Sequence, residues 1–161
     1  LNIKLLMIDN LLNKKAPSFS LKDSNNKDTA LENFKGHWLI IFFYPKDNTP
    51  GCTKEVCLFR DDYSQIKSLN TKIIGINTDK IESHKNFQTK HNLPFPLLSD
   101  INGLISKKYF ALFNLLFINF SKRRSFIIDP QGVVKRIYKT VNPAIHSTEI
   151  INDLQLLQKK P

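Results

Sequence analysis

Short apolar runs and amphipathic stretches alternate along most of this chain. Residues 37–44 form a continuous apolar run that Pro45 closes, and a run of this length predicts a buried central strand. Between residues 52 and 68, large apolar side chains recur at three- and four-residue steps with charged residues between them, which predicts an amphipathic helix. The same criteria predict strands at 72–77, 94–98, 124–129 and 133–138, and helices at 80–91, 101–110 and 146–158.

This order of elements predicts an α/β fold around a mostly parallel sheet, with an antiparallel hairpin added late in the chain. Residues 18–34 alternate around an Asn-Asn-Lys-Asp turn, so a small β element is expected before the central strand. A chain of 161 residues with 41% hydrophobic content can bury one substantial core. We therefore interpret residues 1–12 as an N-terminal extension or leading segment and residues 13–161 as a single domain.

The net charge of +10 is spread along the whole chain, because most of the 24 basic residues are lysines distributed from one end to the other. Arginine, which suits bidentate contacts to phosphate and guanine, is rare, so we expect no nucleic-acid partner. No apolar stretch is long enough for a membrane span, and residues 1–20 lack the order of features of a signal peptide. The default expectation is therefore a protein of the reducing cytoplasm.

The two cysteines, Cys52 and Cys57, are too few for a disulfide scaffold or a four-thiolate metal site. Cys52 lies at the predicted start of a helix, where unpaired amides and the helix dipole favour an anion. We expect a reactive thiolate there, with the Thr49 hydroxyl and the amides of Gly51 and Cys52 as nearby hydrogen-bond donors. The alternative is that Cys52 is a small buried hydrophobic residue.

Cys57 follows five positions after Cys52 in the same predicted helix. Residues at this spacing point about 140° apart, with Cα atoms roughly 8–9 Å apart, beyond the span of about 7 Å that a disulfide allows. Two interpretations stay open. Cys57 only packs, or the helix unwinds locally so that its thiol can condense with an oxidised Cys52.

The segment FFYPKDNTPGCTKEVC at 42–57 resembles the active site of the peroxiredoxins, and its Cys-x-x-x-x-Cys spacing is similar to the bacterioferritin comigratory protein group, also called peroxiredoxin Q. Pro45, Thr49 and Cys52 match the Pro-x-x-x-Thr-x-x-Cys motif. The resemblance extends over residues 13–158, including RRSFIIDPQGVVKRIY at 123–138. It implies a thioredoxin-like fold of the peroxiredoxin variant, with a central mixed sheet flanked by helices and an N-terminal β-hairpin.

The resemblance also implies a thiol-dependent peroxidase that reduces hydrogen peroxide and organic hydroperoxides without a cofactor or metal. Cys52 would be the attacking thiolate that becomes a sulfenic acid, with Thr49 bonded to the peroxide and Pro45 shielding the pocket from water. Arg123, two residues before the Ser-Phe-Ile-Ile-Asp strand, would be the active-site arginine. Cys57 would resolve the sulfenic acid as an intrachain disulfide that thioredoxin or a similar dithiol protein reduces.

Two further residues are assigned with the resemblance in mind. Arg124 is expected to point to the opposite face of its strand from Arg123, so only one of the two can reach Cys52. Glu55 matches an acidic position that orients the arginine in some peroxiredoxins, or is an ordinary glutamate in the first turn of a helix. The same residues also suit a non-enzymatic redox sensor or binding module, and turnover with a reductant would separate that alternative.

The apolar stretch 110–121 departs from the family pattern, which is polar in this region. One interpretation is a loop or short helix packed on the core or on a second subunit. The other is an exposed patch that docks a partner or a membrane, since basic residues flank it. Monomer and homodimer both stay open. The four histidines show no ligand-like spacing and are predicted to be structural or on the surface: His37, His84, His91 and His146.

Overall fold

Strands and helices alternate through residues 3–159, the part of the chain that the computed structural model describes. The strands are β1 (Ser20–Asp23), β2 (Asp28–Ala30), β3 (Trp38–Phe43), β4 (Thr71–Asn77), β5 (Leu97–Ser99), β6 (Leu112–Leu115), β7 (Ile118–Ser121), β8 (Arg124–Ile128) and β9 (Val134–Tyr138). The helices are α1 (Ile3–Met7), α2 (Pro50–Asp61), α3 (Tyr63–Ser68), α4 (Ile81–His91), α5 (Leu104–Lys108) and α6 (His146–Lys159), with short 3-10 helices at Ile8–Leu11 and Leu31–Phe34.

Seven strands form one mixed sheet in the order β2-β1-β5-β4-β3-β8-β9. β3 pairs in parallel with β4 and antiparallel with β8, and β4 pairs in parallel with β5. The remaining pairs are antiparallel, including the N-terminal hairpin of β1 and β2. The mixed sheet and this hairpin are as predicted, whereas the expectation of a mostly parallel sheet is wrong, because antiparallel pairs outnumber parallel ones.

The central strand β3 divides the core into two halves, because successive side chains of a strand point to opposite faces. Ile40 and Phe42 face a cluster to which α2, α3, α4 and α6 contribute buried side chains. Ile41 and Phe43 face the other cluster, which includes residues of α5 and of the N-terminal segment. The helices thus cover both faces of β3, and its C-terminal end leads directly into the loop before α2.

Several element boundaries differ from the predictions. The predicted helix 52–68 is two helices, because the backbone leaves the helical conformation at Asp62. α2 begins at Pro50, whose fixed φ suits the first helical position. The strand predicted at 94–98 begins only at Leu97, after Pro94 and Pro96, and the helix predicted at 101–110 shortens to α5.

Part of the predicted leading segment packs on the sheet. Ile8 is fully buried, and the Asp9 carboxylate lies 2.6 Å from the Lys139 ammonium. The backbone of Asn13 donates to the carbonyl of Val134 on β9. Residues 1 and 2 of that segment lie outside the described residues.

The stretch 110–121 contains the antiparallel hairpin of β6 and β7, so the predicted loop or short helix is wrong, whereas packing on a second subunit stays a prediction. Leu116 and Phe117 form its tip and are 88% and 103% exposed. Leu116 has a φ of +56°, which costs a non-glycine residue about 1–2 kcal/mol. None of the helices between residues 3 and 159 combines the length and apolar character needed to cross a bilayer.

Candidate active site

Residues 45–49 connect the end of β3 to the start of α2. Thr49 is the N-cap of α2, and its carbonyl accepts a hydrogen bond from the Thr53 amide at 2.9 Å. Its hydroxyl donates to the carbonyl of Lys46 at 3.0 Å and not to the Cys52 sulfur, so its predicted contact with a bound oxygen stays a prediction. Because the proton is used in this bond, the Thr49 oxygen keeps lone pairs that can accept a hydrogen bond from a ligand.

Cys52 lies in the first turn of α2, where the amides have no partner within the helix. Its side chain is fully buried among apolar residues that include Val56 and Phe59. Pro45 is half-buried where the loop leaves β3. The helix start therefore provides electropositive backbone groups next to a sulfur that bulk water does not reach.

Arg123 supplies the positive charge at this site. It lies just before β8, and its Nη2 donates to the Cys52 Sγ at 3.3 Å. The neighbouring Arg124 is buried and donates through Nη1 to the carbonyl of Phe110. The structure thus brings Arg123 to Cys52 and directs Arg124 elsewhere.

Glu55 is buried one turn after Cys52, with its Oε1 3.5 Å from Nη1 of Arg123. Burial raises the pKa of Glu55 to about 7, and the charge of Arg123 opposes that rise. Neither carboxylate oxygen accepts a hydrogen bond from the described residues. Glu55 thus lies next to Nη1 of Arg123, while Nη2 of the same guanidinium contacts the Cys52 sulfur.

His146, at the start of α6, is buried behind Arg123. Its Nε2 lies 2.7 Å from the hydroxyl of Ser125 on β8. Burial, with a smaller effect from the charge of Arg123, lowers the pKa of His146 to about 4. His146 is consequently neutral at physiological pH and adds no second cation to the site.

A buried polar network that the sequence analysis missed fixes the 45–49 loop. The Tyr44 hydroxyl donates to Oδ1 of Asp47 at 2.6 Å, and Nδ1 of His84 lies 2.8 Å from Oδ2. Ser83 also donates to Oδ2, at 2.7 Å. Burial alone would raise the pKa of Asp47, but its bonds to His84, Tyr44 and Ser83 and the charge of His84 hold it below the ordinary value.

This network connects the 45–49 loop to α4, because Asp47 contacts His84, which lies on that helix. The other ring nitrogen of His84, Nε2, lies 3.1 Å from the carbonyl of Leu98. Burial, followed by the charge of Asp47, raises the pKa of Tyr44 well above its usual range, so its hydroxyl stays a donor. One sequence signal was available for this network. His84 precedes Phe87 by three positions on the apolar side of the predicted helix, which predicts that His84 is buried but does not identify its hydrogen-bond partner.

Cys57 lies on α2 with a half-buried side chain, and its Sγ is 3.7 Å from Nδ1 of His91 at the end of α4. Both cysteines are free thiols, and α2 is continuous between them. A bond between the two sulfurs therefore requires local unwinding of α2.

Taken together, these residues can hold a thiolate and stabilise negative charge on an oxygen bonded to it. Arg123 and the first amides of α2 supply positive potential, and Thr49 supplies an acceptor. Between residues 3 and 159, no group of three or more histidine, cysteine or acidic side chains is arranged to hold a metal ion.

Comparison with known proteins places this chain in a family. The sequence profile described as AhpC/TSA family matches residues 12–137. The chain is 42% identical over 142 residues to "Peroxiredoxin Q, chloroplastic" of Populus jackii, and 39% identical over 143 residues to the protein of that name from Sedum lineare, in each case across 88% of this chain. It spans 66% of the Populus protein, slightly less than two thirds, and 76% of the Sedum protein.

A solved structure of the Xanthomonas campestris bacterioferritin comigratory protein superposes with a TM-score of 0.82 at 31% identity, covering 88% of this chain and 92% of that one. That protein is described as having alkyl peroxide reduction activity. The superposition confirms the predicted thioredoxin-like fold of the peroxiredoxin variant. With the profile match and the identities above, it shows that this chain belongs to the AhpC/TSA family, in the peroxiredoxin Q and bacterioferritin comigratory protein group.

Proposed function

We propose that this protein is a thiol-dependent peroxidase that reduces hydrogen peroxide and organic hydroperoxides at Cys52. The observation that supports it best is the 3.3 Å contact between Arg123 and the Cys52 sulfur at the start of α2. In the reaction, the thiolate attacks the terminal peroxide oxygen and the O–O bond breaks. Cys52 becomes a sulfenic acid, and the other oxygen leaves as an alkoxide or hydroxide that takes up a proton.

The neighbouring residues have separate roles in this step. Arg123 stabilises the thiolate and then the charge that develops on the leaving oxygen. The Cys52 amide donates to the substrate, and the Thr49 oxygen accepts from a peroxide O–H, since its own proton bonds Lys46. Pro45 limits the access of water to the sulfur.

Cys57 is proposed as the resolving thiol, and its attack on the sulfenic acid forms an intrachain disulfide and releases water. α2 must unwind between the two cysteines for this to happen. Thioredoxin or a similar dithiol protein then reduces the disulfide. That cycle needs a reducing compartment, and we propose the cytoplasm.

The test is peroxide consumption with thioredoxin, thioredoxin reductase and NADPH, for wild type, Cys52→Ser and Cys57→Ser. Cys52→Ser is expected to lose all turnover, and Cys57→Ser to reduce one equivalent of peroxide and stop. Multiple turnovers in Cys57→Ser would assign resolution to another thiol. An inactive wild type would leave the redox sensor or binding module as the function.

A second property is favoured by the hairpin of β6 and β7. We propose that its tip inserts into the surface of an anionic bilayer, because Leu116 and Phe117 are almost fully exposed and Leu116 is held at a positive φ. Lys107 and Lys122 line a cleft at the base of the hairpin, where lipid phosphates would complement their charge. Such docking would bring a peroxidase to lipid hydroperoxides.

Flotation with vesicles of phosphatidylcholine, with and without phosphatidylglycerol, tests the docking at low salt. Wild type is expected to float only with the anionic vesicles, and Leu116→Ser with Phe117→Ser is expected to abolish this. Ile101→Ser, at another exposed apolar position, is the matched control. The absence of flotation would overturn the proposal, and a dimer lost in the double variant would assign the tip to a second copy of the chain.

A further inference from the structure

His91 is the polar group that contacts the Cys57 thiol in the folded protein. Its Nδ1 lies 3.7 Å from Sγ, within the range of a hydrogen bond to sulfur. The imidazole packs edge-on against Phe87, with ring centres 5.1 Å apart and an angle of 80°. Nη1 of Arg60 donates to the His91 carbonyl at 2.8 Å, which fixes the backbone at this end of α4. The position of His91 next to Cys57 is therefore fixed by the Phe87 ring and by the hydrogen bond from Arg60.

The charges around His91 keep it in the form that accepts a proton. Desolvation, and then the positive charges of Lys90 and Arg60, lower the pKa of His91 below its ordinary value. A neutral imidazole that carries its hydrogen on Nε2 presents a lone pair at Nδ1. That lone pair faces the S–H group of Cys57, so the geometry suits proton transfer from sulfur to nitrogen.

We propose that His91 is the general base that deprotonates Cys57 for disulfide formation. The inference rests on the proposed function, in which Cys57 attacks the Cys52 sulfenic acid. The S–H proton passes to Nδ1 of His91, and the thiolate electron pair forms the S–S bond. The S–O bond of the sulfenic acid breaks, and the departing hydroxide takes up a proton from solvent to give water, while the imidazolium returns its proton to solvent.

Deprotonation of Cys57 before α2 unwinds supplies the thiolate before the two cysteines meet. An ordinary thiol is mostly protonated at neutral pH, and only the thiolate is an effective nucleophile. When the second turn of α2 unwinds, Cys57 leaves its site and moves toward Cys52. Because His91 accepts the proton while the two side chains are in contact, a fraction of Cys57 is already a thiolate when the helix opens, and that fraction can form the disulfide at once.

The experiment measures how long the sulfenic acid lasts. Reduced protein is mixed with one equivalent of hydrogen peroxide, quenched with dimedone at increasing times, and analysed by mass spectrometry. In His91→Gln, the rate of sulfenic acid formation is expected to match wild type, while its conversion to disulfide slows by about 10²-fold or more. His37→Gln is the matched control, since His37 bonds Asn70 on another part of the molecule. Equal or faster conversion in His91→Gln would overturn the proposal.

A pH profile separates a base from a packing residue. Conversion in wild type should fall in acid as His91 gains a proton, at a pH below the usual histidine range because desolvation, and then Lys90 and Arg60, lower the pKa of His91. His91→Gln should lack the plateau above this limb and fall continuously as pH is lowered, because only the thiolate fraction of Cys57 then reacts. If His91→Gln does not fold, His91→Tyr keeps a ring against Phe87 and provides the same comparison. Identical profiles would exclude the base, and if wild type consumed no peroxide, the proposed function itself would fail.

Discussion

Arg123 and Arg124 are adjacent in the sequence but make different contacts. Arg123 contacts the Cys52 sulfur, whereas Arg124 is bonded to the carbonyl of Phe110. We expect Arg123→Gln to slow sulfenic acid formation by about 10²–10³-fold, the usual effect of losing one donor to a developing oxyanion. Arg124→Gln should leave that rate within a fewfold of wild type. Stopped-flow mixing with peroxide measures both, and equal losses would contradict the assignment.

Glu55 predicts a particular dependence of stability on pH. Its pKa in the folded state, about 7, lies above its ordinary value of 4.5, so the folded state binds more protons between these values. The free energy of unfolding therefore falls as pH rises through this window, by on the order of 3 kcal/mol at most. Glu55→Gln should remove this fall, and urea unfolding from pH 4.5 to 8 would show it. Parallel curves for the two proteins would contradict the prediction.

Among the elements, the loop at 45–49 depends on its attachment to α4. We expect Asp47→Asn to cost about 3–5 kcal/mol, because it replaces a buried carboxylate oxygen by a donor among three hydrogen-bond partners, and to slow the peroxide reaction as the loop loses this attachment. Asp28→Asn breaks an exposed pair with Lys22 and should cost less than about 1 kcal/mol. Chemical denaturation compares the two, and similar losses would argue against the attachment.

Local patterns predicted the elements around the site because each depends on nearby residues. The run before Pro45 indicated β3, and strand alternation separated Arg123 from Arg124. The break between α2 and α3 depends on a distant contact, since the Asp62 carboxylate accepts from Ser147 on α6 at 2.6 Å. No periodicity within residues 52–68 carries that information.

The buried network was beyond prediction for the same reason. Asp47 and His84 are 37 positions apart and meet only because α4 packs beside the end of β3. For the hairpin of β6 and β7, the sequence left burial and exposure both open, because an apolar run usually means burial and the tip is in fact exposed. Whether an apolar surface has a partner is a property of its surroundings and not of its own sequence.

On the scale of the whole molecule, the net charge of +10 produces self-repulsion in the folded state. Raising NaCl from about 20 to about 200 mM shortens the screening length to less than 10 Å, so we expect the thermal unfolding midpoint to rise. Lys72→Glu with Lys85→Glu, at two exposed positions, should reduce this rise. An unchanged salt response in the double variant would mean that local ion pairs, not net charge, control it.

The continuous helix α2 also determines how long the sulfenic acid lasts in the proposed reaction. Until that helix opens, Cys57 cannot reach an oxidised Cys52, and the sulfenic acid stays exposed to a second molecule of peroxide. A second oxidation gives a sulfinic acid, which a thiol cannot reverse. The stability of one and a half helical turns would then decide the peroxide concentration at which the enzyme stops protecting its surroundings and inactivates itself.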